Sequence, residues 1–261
     1  MMMKYQLFAT LLFIFSITEA KAQRPQGTDR KPNSAALVML GDEAYFTGRF
    51  VEAGELYQKA SEAGIDCEAQ IRRVEKATIM LSTAKSIQII DSIIVDKKYF
   101  FNYYKISDDA GRIFLTGFTA DSLPLIGFEN QRRNRQITTD TINGQSDIFI
   151  REKLFGGWDE KRAVAGDINS DANENFPFFM PDGITLYFCS DGEGSIGGFD
   201  IFVSSFSMES KFLLPENVGM PFNSPFNDYL MVIDEETKTG WFASDRYLEA
   251  GKVAVYRFVS E

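Results

Sequence analysis

Histidine is absent from this chain of 261 residues. Its absence removes the commonest general base, the serine-type triad and the usual zinc ligands. Cysteine is almost absent: Cys67 and Cys189 stand alone, one in a run with helical periodicity and one in a strand-like run. Two cysteines do not define a disulfide framework, and separate buried thiols are expected. Basic charge is short as well. Lys and Arg total 27 against 37 Asp and Glu, a net charge of −10. Nucleic-acid binding needs a basic footprint, so no nucleic-acid partner is expected. Acidity of this kind speaks first of solubility. Beyond the first residues, no apolar run is long enough to span a bilayer.

Phenylalanine, by contrast, is abundant at 24 residues, with 10 Tyr, and most fall in the second half. Aromatics favour strands, so β structure is expected there. The chain begins with Lys4, then an apolar run from Leu7 to Ile17, then Ala20-Lys21-Ala22. That order predicts a cleaved signal peptide over residues 1–22, with Gln23 as the mature N-terminus. No cysteine sits near the cleavage point, so no lipid anchor is expected there. Loss of Lys4, Lys21 and Glu19 leaves a mature charge of −11. Residues 23–34, with two prolines and several charges, read as a disordered linker.

Residues 35–86 carry helical periodicity. Leu37, Leu40, Gly41, Ala44 and Tyr45 form one stripe, and Phe50, Ala53, Tyr57 and Ala60 form another. Gly64 is placed to end the second helix. A third helix is expected from about Glu68 to Lys85, with Ile71, Val74, Ala77 and Leu81 on one face. The spacing of Leu37, Leu40, Gly41, Ala44, Ala53, Tyr57 and Ala60 resembles one tetratricopeptide repeat. From Ile87 the residues become β-branched and read as a connection that turns into a strand. Tyr99–Tyr104 and Arg112–Phe118 read as further strands.

The second half repeats. Ile148, Ile201 and Val255 are 53 and then 54 residues apart. Trp158 and Phe212, and the pairs Asn169-Ser170 and Asn223-Ser224, are 54 apart. Leu186-Tyr187-Phe188-Cys189-Ser190-Asp191 returns as Gly240-Trp241-Phe242-Ala243-Ser244-Asp245. A fixed period of short strands and Gly/Asp turns predicts stacked β units. In the clearest unit, Pro181-Asp182-Gly183 joins two alternating strands, and a glycine-rich turn leads into Asp200-Ile201-Phe202. The following unit has Asp234-Glu235-Glu236 at the turn, and the preceding one has a longer, basic turn. These units resemble TolB-type propeller repeats, relatives of the WD repeat. With the helical segment, the chain resembles exported Bacteroidetes-type proteins that join tetratricopeptide and TolB-type segments.

The resemblance implies an α+β multidomain chain. A tetratricopeptide-like helical hairpin would precede, over residues 87–261, an all-β propeller-like domain of three to four blade units. It also implies export to the periplasm or the periplasmic face of the outer membrane, envelope proteins as partners, and a part in envelope assembly or secretion. Because three or four units are few for a closed ring, self-association to complete the propeller is an expected possibility.

Chemistry leaves fewer marks. Gly192-Glu193-Gly194-Ser195-Ile196-Gly197 fits the dinucleotide pattern Gly-x-Gly-x-x-Gly, but that pattern needs a following helix, and Phe199–Phe206 reads as a strand. Asp191, Glu193 and Asp200 are the candidate calcium ligands, although their spacing is not that of an EF-hand. Asp200 alternatively caps turn amides. No cofactor is expected. Arg132, Arg133 and Arg135 form a basic spot in an acidic protein, suited to a hairpin tip or to docking. The candidate partner-binding residues are Asp191, Glu193, Ser195, Asp200, Asp245 and Arg246. Trp158, Phe188, Trp241 and Phe242 are expected in the core. The sequence therefore predicts a non-catalytic interaction or scaffold protein. A carbohydrate- or peptide-binding module of a nutrient-uptake system is the alternative, and a carboxylate-dependent hydrolase is the third reading.

Overall fold

A computed structural model describes residues 34–207 and 211–260. The expected signal peptide, and all of the expected linker except Ser34, lie outside the described residues. Two compact units are present, one running through Glu75 and one starting at Lys76.

The first unit holds α1 (Ser34–Phe46), α2 (Phe50–Glu62) and the start of α3 (Glu68–Ser82). Leu37, Gly41, Ala44 and Tyr45 of α1 are buried, as are Phe50, Ala53, Tyr57 and Ala60 of α2. Gly41 lets the helices close: a Cβ there would lie 2.6 Å from the Tyr57 ring. The Tyr57 hydroxyl donates to Asp42 at 2.7 Å, tying α2 to α1 a second time. Tyr45 packs on Phe50 with ring centroids 5.4 Å apart, and the Arg73 guanidinium lies 4.5 Å over the Tyr45 ring. Gly64, at φ +94°, ends α2, and Ile65 N–H returns to the Ala60 carbonyl at 3.1 Å; this is the left-handed helix end that glycine favours.

The second unit is antiparallel β structure. In chain order the strands are β1 (Ile89–Asp96), β2 (Arg112–Phe118), β3 (Pro124–Glu129), β4 (Arg135–Ile142), β5 (Gln145–Leu154), β6 (Gly157–Trp158) and β7 (Arg162–Ala163). They continue as β8 (Glu174–Phe179), β9 (Thr185–Ser190), β10 (Asp200–Ser205), β11 (Glu216–Asn217), β12 (Asp228–Asp234), β13 (Thr239–Ser244) and β14 (Lys252–Val259). One sheet has the order β2-β3-β4-β5-β6, with β7 also paired to β5. A second has the order β11-β10-β9-β8. The third, β1-β14-β13-β12, pairs an early strand with the latest one, Ile93 opposite Val255.

The strands β3, β8 and β12 are near-completely buried and meet in the centre. Phe100, Phe176 and Tyr229 pack there, with centroids 5.4–5.7 Å apart. Asn175 stitches two sheets together: its Oδ1 accepts from Ile126 N–H at 3.3 Å, and its Nδ2 donates to the Pro124 carbonyl at 2.9 Å. Phe176 and Leu230, 54 residues apart, both take positive φ, +57° and +45°. Each sits where the strand register shifts, between Asn175 and Phe178 and between Tyr229 and Val232. Residues in strained backbone of this kind persist only where the surroundings over-determine them, and burial does so here.

The expected fold class is not what the chain forms. The described residues contain three helices rather than a hairpin. The rest is mostly β, in two four-stranded sheets and one larger curled sheet, not a propeller of three to four like blades. The 54-residue period specifies equivalent strands and polar contacts, but it does not make the units equal. The first sheet takes in β6 and β7, both paired to the long β5, and so differs from the two that follow. Tyr99–Tyr104 is also not a strand. Phe100–Tyr103 form a 3₁₀ turn, which puts Phe100 and Tyr104 on one side, with ring centroids 6.2 Å apart. Arg112–Phe118 is the strand β2.

Candidate functional site

The repeated polar residues form two copies of one internal latch. Asn169 Oδ1 accepts from Ile148 N–H at 2.8 Å, and its Nδ2 donates to the Ile148 carbonyl at 2.9 Å. Asn223 does the same to Ile201, at 2.8 Å for both bonds. Ser170 Oγ donates to Glu174 at 2.7 Å, and Ser224 Oγ to Asp228 at 2.8 Å. Asp191 accepts from Asn173 N–H at 2.8 Å and Nδ2 at 3.0 Å; Asp245 accepts from Asn227 at 2.9 and 3.0 Å. Asn173 and Asn227 then accept from Ser146 N–H and Phe199 N–H, each on the preceding sheet. Each latch thus joins one sheet to the next through complementary side-chain amides and carboxylates.

Four of the six sequence-derived candidates are held in this framework, and they do not gather around one opening. Asp191 and Asp245 belong to different latches. Asp245 also accepts from Lys97 Nζ at 2.8 Å and from the Tyr229 hydroxyl at 3.1 Å. Arg246 reaches inward to the Asp228 carboxylate and to the carbonyls of Pro221 and Phe222. Asp200 is fully buried and accepts from Ile196 N–H at 3.0 Å, Gly197 N–H at 3.2 Å and Asn217 Nδ2 at 2.7 Å. It therefore caps turn amides. Burial, and then the neighbouring Asp228, push its carboxyl up to about 7; burial also raises Asp228, against the pull of Arg246. Ser195 Oγ donates to the Ser190 carbonyl at 2.8 Å. Glu193 is exposed on the same loop. Among the described residues, no three Asp, Glu or Cys side chains converge as a metal-binding set. The glycine-rich loop opens the strand β10, not a helix, so it lacks the amide cradle a dinucleotide needs. Phe188, Trp241 and Phe242 are buried; Trp158 is half-buried, with the Arg151 guanidinium 4.9 Å from its ring.

The open concave surface lies at the other end of the β unit. The central strands β3, β8 and β12 run side by side, and the turns after them share that end. The turn after β3, residues 130–134, separates two clefts. One, of about 410 Å³, is lined by Asn102, Asp108, Arg112, Gln131 and Arg133 among others. The other, of about 380 Å³, lies between Arg132, Arg135, Lys153 and the turn Met180–Gly183. The β3–β4 turn is rigid. Asn130 accepts from Arg133 N–H at 2.9 Å through its carbonyl, and from Asn134 and Arg135 N–H at 3.1 Å through its side chain. Arg133 holds φ +53° at the tip.

Beneath the turn, one polar row crosses four strands. Arg112 on β2 bonds Glu129 on β3 at 3.1 Å, Gln136 on β4 donates to Glu129 at 2.7 Å, and Arg151 on β5 donates to Gln136 at 2.9 Å. Arg135 pairs with Glu152 at 2.9 Å and lies over Phe179. Arg132 and Arg133 are exposed and form no ion pair among the described residues. The sequence singled out this basic spot but gave no sign of the clefts, whose walls come from segments remote in the chain. No described helix is long and apolar enough to cross a membrane. No protein-family model matches the chain, and a search of curated proteins finds no match.

Proposed function

We propose that this chain is a non-catalytic interaction protein of the cell envelope, exported to the periplasm or to the periplasmic face of the outer membrane. It binds another envelope protein by shape complementarity, in the service of envelope assembly or secretion. The observation that carries this reading is the open end of the β unit: two clefts flanking a rigid turn, with Arg132 and Arg133 held out between them. A preorganised polar surface loses little freedom on binding, which favours docking. Asp191, Asp200 and Asp245 at the other end, by contrast, serve the fold. Export and envelope placement are supported by the leader-like residues 1–22 and by the likeness of the Ser-Asp strands to TolB-type repeats.

Crosslinked capture from native envelope extract tests this reading, comparing the mature protein with an Arg132→Glu/Arg133→Glu variant. One specific envelope protein, recovered by the first and lost by the second, is the expected result. Turnover of a glycan or peptide, abolished by changing a single carboxylate, would overturn it in favour of a hydrolase. Saturable binding of a small sugar with no protein partner would favour the nutrient-uptake reading.

A further inference from the structure

The three turns at the open end differ in charge. The β3–β4 turn carries Arg132 and Arg133, both exposed. The β12–β13 turn carries Glu235 and Glu236, also exposed, and Lys238 closes it at φ +51°. This second turn is also tied by hydrogen bonds. Asp234 is buried there, and its carboxylate is consumed by Ser107 N–H at 2.8 Å, Ser107 Oγ at 2.9 Å and Thr237 N–H at 3.2 Å. The segment that holds Asp234 continues through Asp108 to Arg112 and forms a wall of the cleft beside Arg133. The basic and acidic turns therefore stand on one surface, bridged by one segment. The turn between them in chain order carries one exposed carboxylate, Asp182, which accepts from Ile184 N–H, Thr185 N–H and the Thr185 hydroxyl.

We propose that the open end is a self-recognition surface, on which the basic turn of one copy docks against the acidic turn of a second copy of this chain. A two-fold axis through the end face makes the contact twice: Arg132 and Arg133 of each copy meet Glu235 and Glu236 of the other. That is the isologous arrangement in which one self-complementary patch serves both subunits. Charge complementarity selects this occupant. A chain of net charge −10 repels its own copies in most orientations, and this face offers an orientation in which opposite charges meet. The two turns are held by their own hydrogen bonds, so little side-chain-bearing backbone must be ordered on contact. Exposed pairs of this kind are individually weak and screened by salt, so the dimer is expected to be salt-sensitive. The proposal does not rest on the envelope reading, since it concerns the purified chain alone.

Sedimentation velocity over a range of concentrations tests it, at low salt and at about 0.5 M salt, where the screening length is only a few Å. Three proteins are needed: the wild type, Arg132→Glu/Arg133→Glu and Glu235→Arg/Glu236→Arg, with circular dichroism confirming that each is folded. The expected result is a wild-type dimer that dissociates at high salt, two variants that are each monomeric, and an equimolar mixture of the variants that dimerises again. The mixture recovers both contacts, because one variant presents two acidic turns and the other two basic ones. A wild type that stays monomeric at low salt would overturn the proposal. So would variants that dimerise like the wild type, or a mixture of folded variants that stays monomeric. None of these outcomes would touch envelope-partner capture, which the extract experiment reads separately.

Discussion

A buried asparagine side chain offers two donors and two acceptor lone pairs, and Asn223 uses both ends. It accepts from Ile201 N–H, donates to the Ile201 carbonyl, and donates again to Asn217 Oδ1 at 2.7 Å. Truncation leaves the buried Ile201 N–H without its acceptor, while the Ile201 carbonyl keeps the Val218 N–H at 3.1 Å. Asn223→Ala should therefore cost about 2–3 kcal/mol. Asn169→Ala, at the equivalent but half-buried site, should cost about 1 kcal/mol, because water can replace the lost side chain. Urea unfolding of both variants checks the contrast. Asp200 makes a second prediction at this scale. Its carboxyl is pushed up to about 7, against about 4 in an unfolded chain. Between those values the folded protein binds more protons than the unfolded one. The contribution of Asp200 to stability is therefore full below about pH 4 and is lost as pH rises through about 7, with on the order of 2 kcal/mol of that loss between pH 5 and 8. Asp182 and Asp234 have carboxyls held below the usual range by their hydrogen bonds, so their contribution disappears only under stronger acid. In Asp200→Asn the slope between pH 5 and 8 should shrink, even though the new amide faces three donors and lowers stability throughout.

At the scale of elements, turns and strands obey different constraints. Gly183 ends the Pro181-Asp182-Gly183 turn at φ +71° with open space around it. Gly183→Ala meets only backbone strain, about 1 kcal/mol. Gly197 packs against the next sheet, where a Cβ would lie 1.8 Å from the Phe226 carbonyl oxygen. Gly197→Ala should cost about 3 kcal/mol or more, since neither backbone can yield without disturbing its latch. Thermal unfolding of the two variants separates strain from collision. Much at this scale was legible in the sequence. The helix stripes Leu37–Tyr45, apart from the exposed Leu40, and Phe50–Ala60, the glycine helix end, β2, and the Pro-Asp-Gly hairpin all follow from local pattern. Tyr99–Tyr104 misled because aromatic density favours strands, whereas burial of Phe100 and Tyr104 on one side decided for a 3₁₀ turn. The 54-residue period exposed Asn169, Asn223, Asp191 and Asp245. It could not show that Asp191 faces Asn173, or Asp245 faces Asn227, because those pairings cross between elements. Nor could it show the clefts, whose floors join residues such as Asn102 and Gln131 that share no motif.

At the scale of the molecule, the β unit holds together by joining its beginning to its end. β1 pairs with β14 from Ile89 opposite Phe258 to Asp96 opposite Lys252. Lys97 N–H adds a bond to the Gly251 carbonyl at 2.8 Å. β1 is the edge of this sheet and β14 keeps β13 on its other side, so releasing β1 frees the β14 amides that face it. Native-state hydrogen exchange should therefore show the paired amides of β1 and β14 losing protection together, at one opening free energy. Independent exchange of the two strands would contradict this. The equal-blade expectation failed at this scale because periodic positions fix neighbours, while the number of strands each sheet recruits depends on the connections between them.

That pairing also imposes an order in time. A chain made from its N-terminal end completes β1 long before the residues of β14 exist, and Ile93 must wait for Val255. Contacts so far apart in sequence carry a large loop-closure cost and form slowly. Throughout the interval, an edge rich in isoleucine at Ile90, Ile93 and Ile94 stands open to wrong partners. The step that seals this sheet therefore cannot precede the synthesis of β14, and until then the isoleucine-rich edge of β1 has no partner strand.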